Sequence, residues 1–116
     1  MSKVILYGIP NCNSVKKAMD WLNNHEVDFV FHNYKKEGID IDKLKSWASQ
    51  VGWEIIFNKK GSTWKLIADQ YKNLNEKVAI DIMLTHNSII KRPIIELGKK
   101  LLVGYDEVAL ANLLQQ

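Results

Sequence analysis

Residues 3–34 have the sequence KVILYGIPNCNSVKKAMDWLNNHEVDFVFHNY. Residues 3–8, with the apolar run from Val4 to Tyr7, predict a buried strand, and Gly8-Ile9-Pro10-Asn11 predicts a loop. Apolar residues at helical spacing predict a helix over 14–24, and the Val- and Phe-rich residues 27–34 predict a second strand. A strand, a helix and a strand at this spacing are typical of a parallel βαβ unit.

The rest of the chain predicts a helical block followed by two strands and a helix. Residues 38–86 predict a helical block, with helices over 40–50, 63–71 and 76–84. Residues 93–97 and 100–103 then predict a hairpin around Gly98-Lys99, and 106–114 predicts a closing helix. We therefore predict one α/β domain over 1–116, with a mixed four-stranded sheet of thioredoxin-like type (βαβ…ββα). Its core would span about 1–36 and 87–116, with a helical insertion at about 38–86.

The composition favours an ordinary globular protein. Of 116 residues, 47% are hydrophobic and 25% are charged, which is close to the globular average. The single cysteine, Cys12, excludes an internal disulfide and a cysteine-rich zinc site, and the three histidines lack metal-ligand spacing. No apolar run has the roughly 20 residues of a membrane span, and Gly8 and Pro10 interrupt the first apolar run. We expect a cytoplasmic protein without a metal or a membrane partner.

The positive charges are almost all lysines. The net charge is +3, and the lysines are scattered in pairs, as on a solvated surface. This pattern does not predict direct nucleic-acid binding, which usually needs a clustered basic face. Arg92 is the only arginine, and Pro93 follows it directly.

Cys12 lies between the first predicted strand and the first predicted helix. Backbone amides at a helix start stabilise a thiolate, and Lys16 is one helical turn further on. The pattern predicts a thiolate nucleophile; the alternative is a small apolar residue packed in a loop. Val15 occupies the place of the second cysteine of a Cys-x-x-Cys pair. Asn11, Asn13 or Ser14 is expected to cap the helix.

Two other segments are candidates for binding anions. Arg92 offers a forked cation suited to a carboxylate or an oxyanion, the alternative being a surface arginine. Residues 59–63 (KKGST) would present a cation and backbone amides at a helix start. The alternative there is a helix cap formed by Ser62 or Thr63.

Five segments together resemble a known family. They are residues 7–18 (YGIPNCNSVKKA), 52–54 (GWE), 58–65 (NKKGSTWK), 90–94 (IKRPI) and 103–105 (VGY). They resemble the bacterial ArsC/Spx family, and within it the YffB-like branch of small ArsC-related reductases. The resemblance spans nearly the whole chain in order.

The resemblance implies a thioredoxin-like fold with a helical insertion and a nucleophilic Cys12. It also implies that the bond before Pro93 is cis and that this proline faces the cysteine. Arsenate-reducing members surround the oxyanion with three arginines. Arg92 matches one of them, Lys60 falls at or near another, and Gly104 falls about where the third would be. Gly8 replaces the histidine that these members carry four positions before the cysteine.

The predicted site combines both lines of reasoning. Its residues are Cys12 as the catalytic thiolate, Lys16, Lys60, Arg92 and Pro93 as the anion-binding group, and Pro10, Asn11, Asn13 and Ser14 as the surrounding loop. The leading hypothesis is a glutathione-dependent thiol oxidoreductase that attacks a disulfide or a glutathionylated substrate. It would hold no tightly bound cofactor, use glutathione as co-substrate, and have glutaredoxin as a further partner.

Three alternatives stay open. The first is an arsenate reductase coupled to glutathione or glutaredoxin, with a weaker oxyanion pocket. The second is a Spx-like regulator that binds the RNA polymerase α subunit without catalysis. The third is a member that has lost activity and serves as a binding module.

Overall fold

The computed structural model of the protein describes residues 3–115. The chain divides into two compact units. The first comprises the described parts of Met1–Glu37 and Arg92–Gln116, and the second comprises Gly38–Lys91. Among the described residues, the helices are too short or too polar to cross a membrane.

The predicted elements occur in the predicted order, but two short helices, Tyr34–Glu37 and Trp53–Ile56, were not predicted. Along the chain the elements are β1 (Val4–Gly8), α1 (Asn13–Asn24), β2 (Phe29–Asn33), α2 (Tyr34–Glu37), α3 (Ile41–Val51), α4 (Trp53–Ile56), α5 (Ser62–Ile67), α6 (Glu76–Thr85), β3 (Ile94–Leu97), β4 (Lys100–Val103) and α7 (Glu107–Leu114). Short 3₁₀ turns follow α5 at Ala68–Gln70 and α6 at Asn87–Ile89.

The four strands form one mixed sheet in the order β2-β1-β3-β4. Strands β1 and β2 are parallel, which confirms the predicted βαβ unit. Strand β3 is antiparallel to both β1 and β4, which confirms the predicted hairpin. The thioredoxin-like α/β fold predicted from the sequence is therefore the fold of this chain.

One face of the sheet forms an apolar core with α1 and α7. Val4 and Leu6 alternate along β1 and point to this face, because successive strand residues point to opposite sides. Helix α1 contributes three buried residues at helical spacing: Val15, Ala18 and Leu22. Ile95 of β3 and Leu110 of α7 complete the cluster. Burying a Val, Leu or Ile side chain supplies about 1.5–3 kcal/mol, so this cluster fixes α1 firmly to β1.

The opposite face of the sheet carries polar aromatic residues. The Tyr7 hydroxyl donates a hydrogen bond to Oε1 of Glu96 over 2.7 Å and thereby links β1 to β3. Tyr7 also packs against the rings of His32 and Tyr34, at centroid distances of 4.9 and 6.4 Å. Burial is the main cause that raises the pKa of Tyr7, so this phenol stays protonated and continues to donate.

The second unit is helical with one exception. The sequence predicted only helices and loops over 38–86, but Phe57 forms an isolated antiparallel bridge with Ile90. Two backbone hydrogen bonds of 2.8 Å support it, from Asn58 N to Ile89 O and from Lys91 N to Ile56 O. Phe57 and Ile90 are both buried, so their backbone groups need partners from within the protein.

The predicted cap of α5 was wrong. Gly61, and neither Ser62 nor Thr63, occupies the N-cap position. The hydroxyl of Thr63 instead shares a 2.9 Å hydrogen bond with that of Ser88.

Candidate active site

Cys12 occupies the N-cap position of α1. Its backbone is extended (φ −137°, ψ 123°), and its carbonyl accepts the first helical hydrogen bond from Lys16 N over 3.0 Å. The sequence predicted Asn11, Asn13 or Ser14 at this position, and that prediction was wrong. An N-cap side chain faces the amides two and three residues further on, which here belong to Ser14 and Val15.

The environment of Cys12 favours the thiolate. Burial of the half-exposed side chain is the largest single influence and by itself raises the pKa of the thiol. The amides of Val15 and Ser14 and the side chain of Arg92 outweigh it, so the pKa lies below the ordinary value for cysteine. The thiolate is the reactive form of cysteine, and the site therefore increases its nucleophilic fraction.

Arg92 contributes both a hydrogen bond and a positive charge to the sulfur. The residue is half-buried just before β3, and the Arg92-Pro93 bond is cis, as the resemblance implied. Pro93 is buried, and its carbonyl accepts a 2.8 Å hydrogen bond from the amide of Gly104. Gly104 has a φ of +88°, a conformation that favours glycine. Gly104 therefore forms a turn beside Pro93, at the place where the resemblance puts a third arginine.

The remaining loop residues surround the cysteine at the surface. Pro10 and Asn11 precede it and Asn13 and Ser14 follow it, and all four are exposed. The half-exposed Cys12 therefore lies in a stretch that is open to solvent.

Lys16 is one turn into α1 and is exposed. The sequence argument assigned to Lys16 the lowering of the thiol pKa, but in the structure the guanidinium of Arg92 supplies that charge. A role of Lys16 in binding an anionic substrate stays a prediction.

Lys60 belongs to the second unit. Its side chain is exposed, and its amide donates to Oδ1 of Asn58 over 3.1 Å within a tight turn. The neighbouring Lys59 places its Nζ 5.8 Å from the centre of the Trp53 ring. The convergence of Lys60 with Cys12 stays a prediction from the resemblance.

The sequence argument did not single out Val15 as part of the site. Its amide is the strongest of the groups that lower the thiol pKa. The sequence did contain a signal for this contact: Val15 lies three residues after a cysteine at a predicted helix start, where its amide would face the N-cap side chain. Within residues 3–115, there is no group of three histidine, cysteine or acidic side chains arranged to hold a metal ion.

Comparison with known proteins identifies the family. The sequence model of the ArsC family matches residues 7–113, which include Cys12, Lys60 and Arg92. The chain belongs to the ArsC family.

Individual relatives of this ArsC-family chain are similar over almost its full length. The structure of a YffB protein is 41% identical, with a TM-score of 0.91 over 95% of this chain and 97% of that one. The solution structure of an arsenate reductase (ArsC) related protein from Brucella melitensis is 36% identical, with a TM-score of 0.76 over 98% of this chain and 96% of that one. The global transcriptional regulator Spx of Lactiplantibacillus plantarum is 36% identical over 90% of this chain and 80% of its own length.

Proposed function

We propose that this chain is a glutathione-dependent thiol oxidoreductase. The observation that carries the proposal is the convergence of the α1 amides and the Arg92 guanidinium on the chain's one cysteine. These groups favour the thiolate, and a half-exposed thiolate is the nucleophile of thiol–disulfide exchange. A merely structural cysteine would gain nothing from a cation at its sulfur.

The reaction has two steps. The Cys12 thiolate attacks the glutathione sulfur of a glutathionylated substrate, forming a Cys12–glutathione disulfide and expelling the substrate thiolate, which takes a proton from water. A second glutathione thiolate then attacks the glutathione sulfur of that mixed disulfide. Oxidised glutathione leaves and the Cys12 thiolate is regenerated. Glutathione supplies both electrons, because the chain has no second cysteine to resolve the adduct.

Arg92 suits the binding of an anionic thiol. Its forked guanidinium matches a carboxylate in two-point geometry, and glutathione carries two carboxylates. The exposed ammonium groups of Lys16 and Lys60 would add to the attraction for the second carboxylate. An extended peptide could also pair with backbone beside Pro93, as peptides do along strand edges.

Turnover of a glutathionylated peptide tests the proposal. Purified protein, glutathione, glutathione reductase and NADPH are combined, and NADPH consumption is followed against a protein-free control. We expect a rate above the control that depends on glutathione. Cys12→Ser should remove it, whereas Ser46→Ala, a change of an exposed hydroxyl on α3, should keep the wild-type rate. A Cys12→Ser variant with the wild-type rate would contradict the proposal.

Arsenate reduction is the second candidate. The observation in its favour is the guanidinium at the sulfur, since Arg92 suits an oxyanion as well as a carboxylate. Arsenite release from arsenate, with glutathione and glutaredoxin present, measures this activity. We expect a lower rate than with the glutathionylated peptide, because only one arginine is present in the chain.

Transcriptional regulation is the third candidate, and the similarity to a Spx regulator favours it. By that analogy the partner would be the RNA polymerase α subunit. Capture of purified α subunit by immobilised protein measures the interaction. Binding that is equal in wild-type protein and Cys12→Ser, together with no thiol transfer, would replace the enzymatic proposal with this one.

A further inference from the structure

Gly8, the last residue of β1, lies where the strand meets the start of α1. It is buried, and its φ lies outside the left-handed region, so its backbone conformation is open to any residue. The space around Gly8, however, is too small for a side chain. A Cβ at this position would lie 2.6 Å from Cγ2 and 3.5 Å from Cγ1 of Val15, and 3.6 Å from Cβ of Arg92. Carbon atoms pack favourably at about 3.5–4.0 Å, so the first of these contacts is a clash.

Val15 cannot easily move away from such a clash. Its side chain is fully buried in the core cluster with Leu6 and Leu22. Its branched Cβ has one strongly preferred rotamer in a helix, so rotating the side chain would itself be costly. A side chain at position 8 would therefore be accommodated by moving the first turn of α1, whereas its 3.6 Å contact with Arg92 would be an ordinary packing contact.

These two neighbours of Gly8 are also two of the groups that act on the Cys12 sulfur. Val15 supplies an amide and Arg92 supplies its guanidinium. We propose that Gly8 is a positioning residue for the nucleophile: its missing side chain lets the first turn of α1, which carries the Val15 amide, pack closely against the end of β1 beside Arg92. The proposal deepens the proposed function and rests on it, since it concerns the same thiolate.

The test is a double-mutant cycle on the reactivity of Cys12. Wild type, Gly8→Ala, Val15→Ala and the double variant are each alkylated with iodoacetamide across a pH series, and labelling is followed by intact mass. We expect Gly8→Ala to raise the thiol pKa by about half a unit or more, and to slow labelling about threefold at pH values below that pKa. With alanine at position 15 the clashing methyl is absent, so there the same change should leave the pKa of the Val15→Ala background unaltered.

Each outcome decides the question. A low wild-type pKa that Gly8→Ala leaves unchanged overturns this inference and leaves the proposed function intact. A wild-type pKa at the ordinary cysteine value overturns the proposed function, and this inference with it. If Gly8→Ala does not fold, as judged by circular dichroism, the double variant decides. A double variant that folds and whose Cys12 has the same pKa as in Val15→Ala supports the inference. A double variant that does not fold, or whose Cys12 has a higher pKa, overturns it.

Discussion

Two loops of this molecule lead into helices, and the sequence pointed to both as anion-binding segments. The cysteine loop (residues 9–12) enters α1, which has 12 residues, and the lysine loop (residues 58–61) enters α5, which has six. Both carry polar side chains and a neighbouring lysine pair. They differ in whether a charged side chain from a distant part of the chain acts on the residue at the helix start.

In the lysine loop, the backbone of Asn58 bonds to the distant Ile89, but the two lysines contact nearby residues. The amide of Lys60 bonds to Asn58, and Lys59 lies over Trp53. The cysteine loop instead receives Arg92 from a distant part of the chain, and a titratable side chain occupies its N-cap. The comparison teaches that a helix start becomes chemically active when its cap can ionise and a second charge, distant in sequence, is brought to it.

Replacing the sulfur of Cys12, the N-cap residue of α1, should have the largest effect on activity. Cys12→Ser should reduce thiol transfer to the uncatalysed level, because a serine hydroxyl is not ionised at neutral pH. Serine is a preferred N-cap residue, so α1 should lose no stability. Parallel turnover and thermal-unfolding measurements check both statements. A variant that is inactive because it unfolds would undermine the distinction between chemistry and structure in this loop.

Removing the distant charge should have the next largest effect. Arg92→Ala should raise the pKa of Cys12 and slow its alkylation about tenfold below that pKa, which corresponds to about one pH unit. Arg92→Lys keeps the charge but loses the fork, so an intermediate value is expected. The pH dependence of labelling measures both. If Arg92→Ala labels like wild type, the amides of α1 alone activate the thiol.

The same thiol links stability to pH. The folded-state pKa of Cys12 lies below its unfolded value, so the native state binds the proton less tightly. The resulting stabilisation is full above the unfolded pKa and is lost as the pH falls through the folded pKa. The unfolding free energy of wild type relative to Cys12→Ser should therefore rise between neutral and alkaline pH. Urea unfolding at several pH values measures it, and a difference that stays flat would contradict the lowered pKa.

Changes in the lysine loop should have the smallest effect. Lys60→Ala should raise the KM for a glutathionylated peptide by about threefold or less and leave kcat unchanged, because exposed charges are screened by salt. Lys59→Ala is the matched control one position away. A tenfold rise in KM for Lys60→Ala alone would show that the two loops form a single binding site, and would remove the contrast between them.

The sequence was sufficient for the fold because its signals are local. The apolar run of β1 and the helical spacing of α1 predicted both elements within a residue or two. The N-cap identity was not predictable in the same way, since Asn11 and Ser14 are better caps by propensity than Cys12. The Phe57–Ile90 bridge was not predicted either, because it joins positions that are far apart in sequence.

The candidate site was predictable only in part for the same reason. The position of Cys12 followed from the strand-to-helix pattern. The contact of Arg92 with the sulfur depends on β3 lying beside β1, and the family resemblance was needed to anticipate it. The tight packing at Gly8 depends on the distance between α1 and β1, which no local pattern encodes.

The late position of Arg92 in the chain has a consequence for synthesis. Arg92 lies 80 residues after Cys12, so the thiol is synthesised before the cation that acts on it. Until β3 pairs with β1, the thiol lacks this cation, and its pKa stays closer to the ordinary cysteine value. The full lowering of the thiol pKa therefore requires the assembled sheet, and a growing chain carries a less acidic thiol than the finished fold.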